Sequence, residues 1–282
     1  MVGTAFAGKG GIVVEMNLIN QGRTAEVYDI GNNQILKLFR EKIPLTAINQ
    51  EYRIAETLKD CPAPSPKFFG KMECEGRTGL IYEYIRGQSQ LMQIMRQPWR
   101  ARSCAKDMAD IHAAIHRIAV VGIPGQKEQL EWFIGKAEGL TEAQKSVIVA
   151  RLKKLPDGKL LCHGDLHPDN ILGSGKTAVV IDWMTATAGN PVGDVARTVV
   201  ILKYSPVPPH LPWLARVMTN LLKSIICNTY LKTYLKLTGM DRRQVGEWEL
   251  PIAAARLFEN GPVQEKQALM AFILSEIKNM PV

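Results

Sequence analysis

The chain has 282 residues, 46% hydrophobic and 22% charged, with 35 Lys and Arg against 27 Asp and Glu for a net charge of +8. That length suits about two domains or lobes, and the composition is that of a globular chain, not a disordered or fibrous one. No run reaches the ~20 uninterrupted apolar residues of a membrane span, since Asn220, Lys223 and Asn228 interrupt the closest candidate, 217–230.

Residues 1–15 are rich in glycine, and their apolar runs are too short for the core of a secretory signal, so a cytoplasmic location is expected. From Asn17 to Arg40 the chain reads as strands. Val27, Ile30, Ile35, Leu36, Leu38 and Phe39 supply β-type residues, and Gly31-Asn32-Asn33 supplies a turn. Between two of these runs lies Gln21-Gly22-Arg23-Thr24-Ala25, a tip that suits either a plain surface turn or close approach of backbone N–H groups to phosphates. Alternation puts Lys37 on the face opposite Leu36 and Leu38. It is there either as a solvated strand lysine or as one half of an ion pair. A helix is expected over 45–58 from Ile48, Tyr52, Ala55 and Leu58, with Pro44 before it and Cys61-Pro62 closing it. Glu51 on that helix is either exposed or the partner of Lys37. After the stiff connector Pro62-Ala63-Pro64-Ser65-Pro66 come two further strands, 67–74 and 78–85, and the composition turns helical after Arg86-Gly87.

Met108, Ile111, Ala114, Ile115 and Ile118 mark one face of a helix over 105–119. The same helix carries His112 and His116, an i,i+4 pair able to share a metal; no third ligand is evident at suitable spacing, and a packing role is favoured. Helices are also expected over 130–138 and 142–155. Then comes the most informative stretch, Leu161-Cys162-His163-Gly164-Asp165-Leu166-His167-Pro168-Asp169-Asn170-Ile171-Leu172, followed by a buried-type strand ending on Asp182-Trp183 and a helix opening at Gly193-Asp194. Helical segments are expected over 213–238, 241–260 and 262–278. Three acidic or amide side chains in loops between short apolar strands suit chemistry on a phosphate: one carboxylate to orient a nucleophile, and an amide with a carboxylate as hard oxygen ligands for magnesium.

Five cysteines are scattered without a C-x-x-C pair, so reduced, packed thiols are expected and not a disulfide framework or zinc site. The basic excess lies mostly after residue 88. It forms no dense run interleaved with aromatic residues, so no nucleic-acid partner is expected.

His163-Gly164-Asp165-Leu166-His167-Pro168-Asp169-Asn170, then Asp182, then Gly193-Asp194, resembles the signature of the aminoglycoside phosphotransferase and choline kinase group, small-molecule kinases related in fold to protein kinases. The resemblance covers about residues 20 to 200. It implies an α+β, bilobal protein-kinase-like fold: an N-terminal five-stranded antiparallel sheet plus a helix over 1–86, and a mainly helical catalytic and substrate-binding lobe over 87–282. It implies ATP and Mg2+ as cofactors, with Asp165 as the catalytic carboxylate, His167 in support, and Asn170 and Asp182 as metal ligands. Gly22, Lys37, Glu51, Glu83 and Ile85 would bind the nucleotide, the last two through the backbone at the hinge. His163, Asp169 and Asp194 would brace the loop by hydrogen bonds.

The expected function is transfer of the γ-phosphate of ATP to a hydroxyl of a small molecule, with no membrane partner and no obligate protein partner. An ATP-binding pseudokinase scaffold is opposed by the joint presence of Lys37, Asp165, Asn170 and Asp182. A protein kinase is opposed by the short interval from Asp182 to Asp194, which leaves little room for an activation loop. The acceptor stays open among aminoglycoside, choline, thiamine and sugar classes. Trp213, Glu247, Trp248, Glu249, Phe258 and Glu259 are available to a cationic one.

Overall fold

Gly31, Asn32 and Asn33 all take positive φ, 79°, 50° and 58°, and so turn one strand back on the next. The computed structural model describes residues 4–7, 13–208, 210–259 and 261–279. Strands β1 (Thr4–Ala7), β2 (Val13–Gln21), β3 (Ala25–Asp29) and β4 (Gln34–Phe39) precede helix α1 (Leu45–Lys59), and β5 (Phe68–Cys74) and β6 (Arg77–Glu83) follow it. They form one antiparallel sheet in the order β1-β2-β3-β4-β6-β5. The five strands β2–β6 with α1 are the expected N-terminal lobe. Strand β1, in the glycine-rich stretch, extends the sheet by pairing with the outer edge of β2.

The period of two in β4 separates two environments. Leu36 and Leu38 turn to one face with Met16, Tyr28 and Cys74. Phe39 turns to the other, where Ala25, Phe68 and Leu80 meet Ile48 and Ala55 of α1. Lys37 shares that second face, so its ammonium is aimed at the helix.

The remainder is mainly helical: α2 (Gln90–Arg96), α3 (Ala101–Ile115), α4 (Gln126–Lys136), α5 (Glu142–Lys154), α6 (Pro191–Tyr204), α7 (Trp213–Thr238), α8 (Arg242–Arg256) and α9 (Val263–Lys278). Two short antiparallel pairs lie among them, β7 (Leu160–Cys162) with β10 (Thr187–Gly189), and β8 (Ile171–Leu172) with β9 (Val179–Val180). Helix α3 begins and ends four residues earlier than its apolar spacing predicts. The chain leaves the helix at His116 because residues 118–120 are drawn to β7: Leu161 N–H donates to Ile118 C=O at 2.8 Å and Ala119 bridges Leu160.

Every residue of α6 from Pro191 to Leu202 is buried, which makes it the axis of this lobe. Gly193 on α6 lets the indole of Trp248 in α8 close on it, since a Cβ there would meet the ring at 2.8 Å. Trp248 is accordingly 1% exposed and belongs to the core. Helix α1 joins the lobes: Ile54 and Leu58 enter the large C-terminal core while Ile48 and Ala55 face the sheet. All five cysteines are free thiols, four of them buried. No helix among the described residues is long and apolar enough to cross a membrane.

Candidate active site

Two groups of side chains face each other across the lobes. In the first, Lys37 Nζ donates to Glu51 Oε1 at 2.7 Å and to Asp182 Oδ1 at 3.0 Å. The Lys37–Glu51 alternative left open by spacing is therefore decided by α1 packing on the sheet: Glu51 is 3% exposed. Burial works against the Lys37 ammonium, but Asp182 and Glu51 outweigh it and raise its pKa above the ordinary lysine value. Burial pushes the Glu51 carboxyl up, against the pull of Lys37. Tyr82 on β6 adds a hydroxyl to Glu51 Oε1 at 3.4 Å, while Glu51 Oε2 is buried with no hydrogen-bond partner among the described residues. Asp182 itself is partly exposed and sits in the left-handed region at φ 63°, ψ 62°, two residues after the end of β9. A non-glycine residue in that region carries strain of the order of 1–3 kcal/mol, a mark of positions held for a purpose.

The second group is the loop after β7. Asp169 N–H donates to His167 Nδ1, which caps the turn Pro168–Asn170. Asn170 Nδ2 donates to Asp165 C=O at 2.9 Å, lies 3.4 Å from Asp165 Oδ2, and is 3.3 Å from His167 Nε2. His167 Nε2 stands 3.6 Å from Asp165 Oδ2. Burial would raise the Asp165 carboxyl, yet His167, Arg197 and Arg256 outweigh it and hold the group well below the usual carboxylate range. The β8–β9 hairpin ties the two groups together. Ile171 pairs with Val180, and Ile181 N–H donates to Asn170 C=O at 2.9 Å, which sets Asn170 and Asp182 side by side.

Asp194, 1% exposed, anchors the loop from beneath. Its carboxylate accepts from His163 N–H at 2.5 Å and Gly164 N–H at 2.9 Å. It also meets His112 Nε2 at 3.0 Å and His116 Nε2 at 3.2 Å. Burial would raise Asp194, but the two histidines hold it well below the carboxylate range. Because an ionised carboxylate only accepts, both Nε2 atoms carry hydrogen; Nδ1 of His112 accepts from the Tyr230 hydroxyl at 2.7 Å, and Nδ1 of His116 is hydrogen-bonded with the Tyr234 hydroxyl at 2.6 Å. Burial lowers the His112 pKa to about 4, so that ring is neutral. The pair of histidines thus does find a third group, Asp194, 78 residues or more away, which local spacing could not reveal. Hydrogen bonds use every polar atom of the two rings.

His163 braces the loop through its ring: Asp165 N–H donates to Nδ1 at 3.1 Å, and Nε2–H donates to Ile181 C=O at 3.1 Å. Asp169 accepts from Ser89 at the start of α2. Gly164 has φ 79°, and a Cβ there would meet Thr185 C=O at 2.5 Å, so only glycine fits.

Gly22, Glu83 and Ile85 stand apart; among the described residues no hydrogen bond or ion pair joins them to either group. Gly22 N–H donates to Ala25 C=O at 2.8 Å and its carbonyl accepts from Arg40, so this glycine closes its own turn. At the hinge Glu83 N–H donates to Lys67 C=O and Tyr84 N–H to Asn33 C=O, both at 2.8 Å. A ligand meeting Glu83 through the backbone would therefore meet its carbonyl.

Composition alone does not expose the next layer. Arg197, one helical turn after Asp194, donates from Nε to the Gly164 carbonyl and pairs with Glu259 at 2.7 Å. Arg256 pairs with Glu259 and with Glu265. An arginine one turn after Asp194 within the apolar-rich run 192–202 is the sequence signal that could have marked Arg197. Of the acidic residues considered for an acceptor, Glu249 is buried between Lys203 and Arg242, and Glu247 lies near Arg243 on the surface. Glu259 is tied through Arg197 to the loop after β7. Beside it Phe258 stacks on Phe133 at 5.4 Å and meets Trp132 edge-on at 5.1 Å.

Solved structures share this architecture. A type VIII aminoglycoside-3'-phosphotransferase superposes with a TM-score of 0.59 at 15% identity, covering 87% of this chain and 93% of its own. The amicoumacin kinase hAmiN, solved with AMP-PNP, Ca2+ and Ami, gives 0.57 at 13% identity over 94% of this chain and 89% of its own. Choline kinase from Cryptosporidium parvum Iowa II gives 0.53 at 12% identity over 94% and 89%. At such identities the likeness shows the fold, the bilobal protein-kinase-like arrangement. No curated protein sequence matches the chain. The sequence pattern described as the phosphotransferase enzyme family (APH) matches residues 15–219, well over half the chain, and the chain belongs to that family.

Proposed function

We propose that the protein transfers the γ-phosphate of ATP, as its magnesium complex, to a hydroxyl of a small molecule. The observation that carries this reading is the convergence of Lys37, Glu51 and Asp182 in one ion-paired group, hairpin-linked to Asn170 and Asp165. Lys37 supplies a fixed cation for nucleotide phosphate oxygens, and Glu51 keeps it extended from the sheet. Asp182 and Asn170 fit a magnesium ion by their chemistry. Asp182 is a partly exposed carboxylate in a strained backbone setting, and the Asn170 amide nitrogen is taken by Asp165, which leaves the hard Oδ1 oxygen for a cation. The metal, when bound, neutralises charge on the phosphates.

Asp165 accepts a hydrogen bond from the acceptor hydroxyl and aims its oxygen at the γ-phosphorus. Its depressed pKa makes it a weak base, so it chiefly orients the nucleophile and receives the proton late, as a loose phosphoryl-transfer transition state requires. His167, whose Nε2 lies 3.6 Å from Asp165 Oδ2, stands beside the transferring group in a supporting role. A complex of APH(2")-IIa with streptomycin and ATP and a GDP complex of aminoglycoside 2'-phosphotransferase-IIIa exist among the fold relatives, so the base is a separate variable of the test. The segment from Asp182 to Asp194 is taken up by a turn, by β10 and by the start of α6, which favours a small acceptor over a protein.

The test is nucleotide consumption with ATP and GTP over aminoglycosides, choline, ethanolamine, thiamine and sugars. Acceptor-dependent ADP or GDP release that Asp165→Asn removes is expected. Silence over the whole panel together with no binding of Mg·ATP would favour a scaffold instead.

A further inference from the structure

Helix α7 serves two environments along its length. Its C-terminal half is core, with Ile226, Cys227, Tyr230, Leu231 and Tyr234 buried. Its first three turns are not. Trp213, Leu214, Val217, Met218 and Leu221 are large apolar side chains between 47% and 74% exposed. At roughly 100° per residue they fall within an arc of about 140° on one side of the helix. Isolated exposed apolar residues are ordinary, but five on one face of one helix form a contiguous stripe.

The charge on this helix is one-sided. Trp213–Thr238 contains Arg216, Lys223, Lys232 and Lys236 and no Asp or Glu. Lys223 turns inward to the Ser205 carbonyl. Arg216 is exposed beside Trp213 and Val217, around a shallow depression of about 250 Å³. Lys232 and Lys236 are exposed and fall on the same arc as Leu214 and Met218, so the apolar stripe continues into a pair of cations. A single convex helix face with aromatic and aliphatic side chains at one end and lysines at the other fits a yielding anionic surface. A second copy would set two such helices together with no carboxylate on either to meet the lysines. Five side chains also fall well short of the roughly 20–30 residues a side of a stable dimer.

We propose that the exposed face of α7 is an interfacial docking surface for a bilayer bearing anionic lipid, with Trp213, Leu214, Val217, Met218 and Leu221 entering the headgroup boundary and Arg216, Lys232 and Lys236 meeting the lipid phosphates. A surface-lying helix needs no spanning run, so the lack of one does not bear on this mode. The proposal does not depend on the phosphotransferase reading, because none of these residues touches the groups around Lys37 or Asp165.

The experiment is co-sedimentation of the full chain with vesicles of phosphatidylcholine alone and of phosphatidylcholine with phosphatidylglycerol, at low and high salt, with intrinsic tryptophan emission recorded in parallel. Binding to the anionic vesicles that high salt weakens and a blue shift in emission are expected. Leu214→Glu with Leu221→Glu should lower partitioning roughly tenfold or more, and Lys232→Gln with Lys236→Gln should lower it and flatten the salt dependence. Both variants should keep the wild-type melting temperature and Mg·ATP binding. Equal binding to neutral and anionic vesicles, no binding to either, or a concentration-dependent dimer that Leu214→Glu abolishes would each overturn the proposal.

Discussion

At the scale of single residues, the two carboxylates of the proposed site differ in what holds them. Asp165 is fixed by the Asn170 amide and kept ionised by His167, Arg197 and Arg256, whereas Asp182 is held by Lys37 and is partly exposed. Asp165→Asn keeps the shape but removes the acceptor of the hydroxyl proton. It should lower kcat by roughly 10²–10⁴-fold while leaving the nucleotide KM within a few-fold, a loss confined to the transition state. A steady-state analysis checks this, and a proportional rise in the nucleotide KM would move Asp165 out of that role. Because its pKa is depressed, Asp165 stays charged through the neutral range and down past the ordinary carboxylate value. The acid limb of the rate profile should therefore not appear at the usual pKa of an aspartate.

At the scale of elements, α7 is linked to the loop after β7 through two histidines and Asp194. Tyr230 and Tyr234 hold the rings of His112 and His116, these present Nε2–H to Asp194, and Asp194 holds the backbone of His163 and Gly164. Tyr230→Phe frees the neutral His112 ring to reverse its tautomer, which would aim a lone pair at the carboxylate. We expect a loss of about 1–3 kcal/mol in unfolding free energy, together with a fall in kcat at unchanged nucleotide affinity. A stability loss with kcat intact would restrict the tyrosine to packing.

The same network has a pH signature. The folded-state pKa of His112, about 4, lies below the ~6.5 of a free imidazole. The stability it contributes is therefore present above about pH 6.5 and lost as pH falls toward 4, at up to about 1.4 kcal/mol per unit. Urea unfolding at a series of pH values reads this directly, and His112→Gln should flatten the slope in that window.

At the scale of the whole molecule, the site exists only where the lobes meet. Lys37 comes from the sheet, Glu51 from a helix whose other face enters the C-terminal core, and Asp182 from the far lobe, so one ligand bridging Lys37 and Asp182 would tie the lobes together. Ligand that binds only the folded chain stabilises it by mass action, about 2.7 kcal/mol at a hundredfold excess over Kd. Mg·ATP should raise the melting temperature by several degrees, and Asp182→Ala should abolish most of that rise. An equal rise in the variant would show that Asp182 does not take part in binding.

The local pattern was enough for the strands β2–β6, for α1, and for the order of motif residues along the chain, but not for β1 or for β10, whose stretch 186–191 reads as loop. Period-two alternation put Lys37 opposite Leu36 and Leu38, and the run from His163 to Asn170 with Asp182 beyond it carries the resemblance to the phosphotransferase family. These features depend on neighbours a few residues apart, and a sequence displays such neighbours directly. Whether Glu51 was exposed or paired, that Asp194 would gather two histidines, that Arg197 would bind the Gly164 carbonyl, and that Trp248 belongs to the core were decided only by tertiary packing. The physical reason is the same in each case: a buried charge or hydrogen bond takes its partner from whichever element the fold brings within 3 Å or so, and sequence separation carries no record of that distance.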